Sequence, residues 1–285
     1  MYGKDIKIKI NINEEPVKCR IPSTITKPVN NYPSNLVKKS LKNNFNIYSK
    51  KSKDKSPGVT IITSTKRNKF IDRVFDNYKR QNYSNKELII ILNKNDMDLS
   101  KWKKKSEKYN NIRIFKVDEN EPLGVCLNFG VTKRKYDYMA KFDDDDYYGP
   151  DYLVNMMEEF KNTDAHIIGK DNYFVYFEND NILAVRKRNK QNRFVNHVAG
   201  STLVIKKEVL NKVKFDSKLK RGVDTKFLKD CKKQGFKIYS SDKYNHVVCR
   251  RPNLDEHTWQ ISQKDFLRTL KYIAHTDNFE PYVVR

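Results

Sequence analysis

Four aspartates stand in a row, Asp143 to Asp146, between the apolar stretch YDYMAKF and the turn YYGP that ends at Pro150. Like charges this close raise one another's pKa and cost stability unless a cation sits among them. Donor oxygens of this kind suit Mg²⁺ or Mn²⁺, above all where substrate phosphates complete the shell. A solvated acidic turn is the plain alternative, as is a cap for the helix after Pro150, a task Asp151 could perform. Neither accounts for four adjacent carboxylates in a chain whose formal charge is +23. The block therefore reads as a ligand site that a divalent metal neutralises. A second group of chemically capable residues runs from Arg250-Arg251 to His257-Thr258-Trp259. Paired arginines suit a diphosphate, a histidine can complete a metal shell, and a tryptophan can stack on a sugar or base. A surface loop with a packed tryptophan fits that stretch equally well. His197 could face an acceptor, but a lone histidine has a structural account too.

Alternating strands and helices position the block. VTIIT (59–63), ELIIIL (87–92), NIRIFKV (111–117) and YDYMAKF (136–142) read as strands. Helices are predicted between them: one with Phe70, Val74, Phe75 and Tyr78 on a single stripe, one in LSKWKKKSEKY, and one through Leu127, Phe129 and Val131. This alternation predicts a mostly parallel sheet covered by helices. Ligands bind beyond the carboxyl ends of such strands. The turns at 63–67, 93–96, 118–124 and 143–146 therefore carry the site. The second half is more mixed. A helix is expected over 151–160, two short strands around Glu178-Asn179-Asp180, and a strand entering a helix after Ser201. A further helix closes at Gly235, and a last amphipathic helix covers 261–275.

Residues 1–57 differ in character. Pro16, Pro22, Pro28 and Pro33 interrupt any long helix, and KKSKDKSPG reads as a linker. The expected organisation is an N-terminal extension over 1–57, a main domain over 58–250 and a C-terminal segment over 251–285. The four cysteines include no CxxC pair, so free thiols in a reducing compartment are expected. No apolar leader and no uncharged run of spanning length appears, which predicts a cytoplasmic protein, with peripheral membrane contact through its lysines. Lysine far outnumbers arginine and is spread along the chain, which reads as drift in composition more than as a basic patch.

In order and spacing, the pieces from Val59 to about Arg251 resemble the inverting family-2 glycosyltransferases of the GT-A fold. Ser64 and Arg67 match the family's first strand-end turn, with Thr63 in place of its proline and Thr65 between them. Asn93 stands where the family has aspartate. Gly124, Asn128 and Gly130 match its glycine and Asn-x-Gly helix, with Leu127 replacing an arginine. Asp143 to Asp146 with Pro150 is the nearest match, to the metal motif. The resemblance implies that Asp143 and Asp144 contact ribose or sugar, and that Asp145 binds Mn²⁺ or Mg²⁺. Thr63, Ser64, Thr65, Arg67, Asn93 and Asn128 are implied on the nucleotide-sugar side, with Arg250, Arg251 and Trp259. By similarity His257 is a further metal ligand. Asp224, in RGVDT, matches the aspartate of the family's Glu-Asp pair, with Val223 for the glutamate. That implies a general base; an N-cap for a helix from Thr225 is the competing account. The implied reaction moves a sugar from a nucleotide-diphospho-sugar, in the first instance a UDP-sugar, to a cell-surface glycan, lipid-linked or protein acceptor.

Two other functions compete. Nucleotidyltransferases also use carboxylate-held metals, but their phosphate loop is glycine-rich and TSTKRN contains no glycine. A nucleic-acid binder would fit the positive charge, but no helix-turn-helix, zinc finger or RNP-like motif is present. No nucleic-acid partner is expected.

Overall fold

The computed structural model describes residues 56–188, 190–251, 253 and 261–285. The chain divides into two units, Met1–Asp54 and Lys55–Arg285; the described residues all belong to the second. The expected N-terminal extension, up to residue 55, lies outside them.

The first half follows the hydrophobic pattern closely. β1 (Val59–Thr65) leads through a 3₁₀ turn to α1 (Ile71–Arg80), whose Ile71, Val74, Phe75 and Tyr78 recur at helical spacing and are buried. Fully burying a large apolar side chain contributes roughly 1.5–3 kcal/mol before entropy is counted, so this stripe is what docks the helix. β2 (Lys86–Leu92) is apolar on both faces and buried on both. α2 (Leu99–Ser106) starts on an Asp98 cap that accepts from the Ser100 and Lys101 amides. β3 (Ile112–Lys116), α3 (Leu123–Lys133) and β4 (Tyr138–Lys141) complete the half. The two-residue β5 (Tyr147–Tyr148) follows the aspartates, then α4 (Tyr152–Asn162), β6 (Ile167–Gly169), β7 (Phe174–Phe177), β8 (Ile182–Arg186) and β9 (Arg193–Val195). A 3₁₀ turn at Gly200–Thr202 precedes β10 (Val204–Lys206) and α5 (Lys207–Lys212). α6 (Val223–Lys233) opens on Gly222 and is followed by Gly235, both in the left-handed region that favours glycine. β11 (Ile238–Ser240), β12 (His246–Arg250), α7 (Gln263–Arg268), β13 (Leu270–His275) and α8 (Glu280–Val283) finish the chain.

The strands form two sheets among the described residues. The larger runs β3-β2-β1-β4-β10-β6-β11-β9 and the smaller β13-β8-β7-β12-β5. β1 to β4 are parallel, and β6 and β11 share their direction, with β10 antiparallel between β4 and β6. Phe75, Trp102 and Met156 pack one face of the larger sheet; Leu127, Leu210 and Phe227 pack the other. The result is a helix–sheet–helix sandwich, as the alternation predicts.

One expectation needs correction. Of the helix expected over 261–275, only Gln263–Arg268 is helical. Leu270–His275 is a strand paired antiparallel with β8. An open sheet edge outweighs local helical spacing there, so Leu270–His275 joins the smaller sheet. Cys126, Cys231 and Cys249 are free and buried. Among the described residues no helix is long and apolar enough to cross a membrane.

Candidate active site

The acidic block is the chain's crossing from one sheet to the other. β4 ends at Lys141 in the larger sheet, and β5 begins at Tyr147 in the smaller. Burial alternates along the crossing. Side-chain exposure is 37% at Asp143, 5% at Asp144, 14% at Asp145 and 6% at Asp146. Asp144 and Asp145 form a turn and Asp146 a bend, and this local folding leaves Asp143 and Asp145 nearer the rim while Asp144 and Asp146 face inward.

The inner pair is bound into the protein. Asp144 accepts from the Thr65 hydroxyl and from both ends of the Arg67 guanidinium, with Nε at 3.1 Å. Burial, and then the neighbouring Asp145 charge, push its carboxyl up to about 6, against the pull of Arg67 and Thr65. Asp146 accepts from the Cys249 amide at 3.2 Å and lies 3.5 Å from His246 Nε2. Burial raises its pKa well above the usual range, with Asp145 and Asp143 adding to the effect. His246 is buried and held neutral, its pKa pushed down to about 3 mainly by desolvation. Its Nε2 also meets the Ser201 hydroxyl at 3.3 Å.

The rimward pair is matched by cations. Asp145 pairs with Arg251 at 2.5 Å and with Arg67 at 3.0 Å. Asp143 pairs with Lys141 at 2.5 Å, and the same ammonium reaches Asp224 Oδ2 at 3.3 Å. Lys141 is fully buried. Burial works against its charge, but Asp143 and Asp224 outweigh this and raise its pKa. One lysine thus ties the block to Asp224, in the first turn of α6.

Asp224 makes no capping hydrogen bond; the helix starts on Gly222 instead. Its Oδ1 is buried without a hydrogen-bond partner. Burial raises its pKa, Lys141 opposes, and Asp143 adds to the rise. A carboxylate with a raised pKa and an unused oxygen is suited to taking a proton. Gly200 packs against it so closely that a Cβ there would overlap the carboxylate. Gly200→Ala is therefore expected to displace Asp224 and lower kcat about 10²-fold, since ångström misplacement of a catalytic group has that effect. Steady-state transfer rates would show it, and a change under about threefold would mean the carboxylate is not held against the turn.

The remaining expected residues fall into four groups. Thr65, Arg67, Asn93 and Arg251 gather near the block: the Asn93 amide nitrogen donates to Thr65 O at 2.8 Å, and its side chain donates to Asp118 O at 2.6 Å. Thr63 is buried in β1 beneath them, while Ser64, partly buried, points to the other face of the strand. Asn128 and Arg250 are turned to structural contacts. The Asn128 amide clamps both backbone groups of Phe215, at 2.8 and 3.0 Å. Arg250 is buried, donates to Ile261 O at 3.2 Å and stacks on Phe266. His257 and Trp259 lie outside the described residues. Residue-level reading missed Lys141, whose signal was a lysine inside an apolar strand two positions before Asp143. It also missed Gly200 and the Asp146–His246–Ser201 cluster.

The model of the family described as "Glycosyl transferase family 2" matches residues 59–214, more than half of the chain. The chain belongs to that family. This glycosyltransferase is 31% identical over 167 residues to the O-antigen biosynthesis glycosyltransferase WbnJ of Escherichia coli, a match covering 54% of this chain and 63% of WbnJ. It thus spans less than two thirds of that relative. The fold is similar to that of S. aureus TarS 1–349 in complex with UDP-GlcNAc, with a TM-score of 0.55 and 14% identity over 74% of this chain and 64% of that fragment. The same TarS fragment in complex with UDP gives a TM-score of 0.52, with 13% identity over 74% and 63% of the two chains. The glycosyltransferase has the GT-A fold, a mostly parallel sheet between helices.

Among the described residues no group of three or more His, Cys, Asp or Glu side chains could hold a metal. The donor set fits a cation bound through the rimward carboxylates Asp145 and Asp143, with phosphate oxygens completing the shell.

Proposed function

We propose that the enzyme is a metal-dependent, inverting transferase that moves a sugar from a nucleotide-diphospho-sugar, a UDP-sugar in the first instance, to a hydroxyl of a cell-surface glycan, lipid-linked or protein acceptor. The observation that carries this reading is the Lys141 bridge, which sets a carboxylate with an unused oxygen beside the acidic block. The acceptor oxygen attacks the anomeric carbon and its proton passes to Asp224 Oδ1. The bond from that carbon to the diphosphate breaks, and its electron pair leaves with the phosphate oxygen. Attack opposite the leaving group inverts the configuration. Asp145 and Asp143 would hold Mn²⁺ or Mg²⁺, which neutralises the departing diphosphate when bound. Arg67 and Arg251 already balance Asp145 and are the groups able to turn toward phosphate oxygens. Thr65, Asn93 and the ends of β1 and β2 form the nucleotide side. Uridine is supported by the ligands of the TarS structures and by the amide at Asn93, which can pair with a uracil edge. Action at the cytoplasmic membrane surface is favoured by the +23 charge.

Calorimetric titration of UDP tests the reading. Affinity is expected to rise at least about tenfold with Mn²⁺, equivalent to about 1.4 kcal/mol. Asp145→Asn is expected to remove that gain. Equal UDP affinity with and without Mn²⁺ or Mg²⁺ would refute metal dependence. Release of pyrophosphate in place of nucleoside diphosphate would make the enzyme a nucleotidyltransferase.

A further inference from the structure

We infer that the loop after β6 is an acceptor subsite, in which Asp171 and Asn172 accept hydrogen bonds from hydroxyls of a carbohydrate acceptor. This rests on the transferase reading and deepens it. β6 and β4 point the same way with only β10 between them, so their carboxyl ends share one edge of the sheet. At the usual strand spacing the loop lies roughly 10 Å from the acidic block. The intervening strap, residues 197–202, touches both sides. Gly200 packs on Asp224, while the Ala199 amide donates to Lys170 O at 2.9 Å. The Lys170 amide donates to Thr202 Oγ1 at 2.8 Å, and the Asp171 amide to Ser240 Oγ at 3.0 Å. The loop is therefore fixed by its backbone, and its side chains are held next to the base's own support.

Those side chains are left unsatisfied. Asp171 is 3% exposed and Asn172 is 8% exposed. Asp171 Oδ1 accepts from Arg188 at 3.0 Å, but Oδ2 has no hydrogen-bond partner, and neither has Asn172 Oδ1. A buried acceptor without a donor costs about 1–3 kcal/mol. Such a pair is tolerated where a ligand supplies the donors. The missing chemistry is specific. Both atoms are acceptors, so phosphate or carboxylate would be repelled, whereas sugar hydroxyls donate. Tyr173, next in the chain and part-exposed, adds an aromatic surface of the kind that packs on a sugar ring. His197 carries a field from Asp171 and Arg188, which places it in the same cluster.

The test uses the full chain with UDP-GlcNAc as donor and the methyl glycosides of glucose, galactose and N-acetylglucosamine as acceptor probes. UDP release is measured against each concentration in turn, for wild type, Asp171→Asn and Asn172→Leu. The acceptor KM is expected to rise at least about tenfold in each variant, with the donor KM moving less than about twofold. Saturation-transfer NMR of the probes is expected to lose signal in the same variants. Donor and acceptor constants moving together, or neither moving, overturns the subsite and leaves the two oxygens to buried water. Absence of any probe effect in wild type also overturns it. Wild type that binds no UDP and releases none fails the transferase reading itself, and the subsite with it.

Discussion

Asp224→Asn is expected to lower kcat for sugar transfer on the order of 10³-fold while the donor KM stays within about threefold. The amide has the shape of the carboxylate and can occupy the same space against Gly200. It cannot accept the acceptor's proton. Loss of the Lys141 contact is partly offset, because repulsion from Asp143 disappears with the charge. The variant should therefore fold and bind nucleotide, and its defect should lie in turnover. Steady-state UDP release at saturating donor measures it. Retention of more than about a tenth of the wild-type rate would move the base to another residue.

Lys141→Met is expected to have the largest combined effect. The side chain is fully buried between two carboxylates. Removing one partner of a buried ion pair costs about 3–5 kcal/mol, because the other charge is left without compensation. Asp143 and Asp224 are both part-exposed, so water recovers some of this, and about 2–3 kcal/mol is the expected loss. Chemical denaturation would show it as a lower midpoint with an unchanged slope. Turnover should fall beyond what unfolding explains, since the same ammonium orients the proposed base. Lys141→Arg tests that separation: it restores the charge but presents a planar fork in a space shaped for a point charge. Stability should recover more than turnover does. Unaltered turnover in folded Lys141→Met would sink the positioning role.

The legible part of the molecule is the part built from long apolar runs. β2 is apolar and buried on both faces, β1 carries a short apolar run and is buried along most of its length, and the stripe of α1 is read directly from its spacing. In the smaller sheet only β7 and β8, around Glu178-Asn179-Asp180, are legible. β5 has only two residues, and β12 is defined by partners distant in the chain. Leu270–His275 has helix-compatible spacing and becomes a strand because β8 offers an edge. The site divides the same way. A run of aspartates is visible anywhere, and Asp224 was marked by family resemblance. Asn128 and Arg250 carried the right chemistry, but tertiary contacts with Phe215 and with Ile261 and Phe266 employ them elsewhere. Gly200, Asp171 and Asn172 matter through neighbours far away in sequence, which no local pattern encodes.

The crossing between the sheets has one more consequence, which is arithmetic. Lys141 and Tyr147 are anchored in different sheets, with Asp143 to Asp146 inside the span between them. The division into rimward and inward carboxylates depends on the turn at Asp144-Asp145 and the bend at Asp146 that fit between those two anchors. Replacing one aspartate changes one contact. Inserting or deleting a single residue forces the turn to be rebuilt and shifts every carboxylate against partners fixed in the two sheets. The count of residues in this segment is thus a stricter constraint than the identity of any one of them.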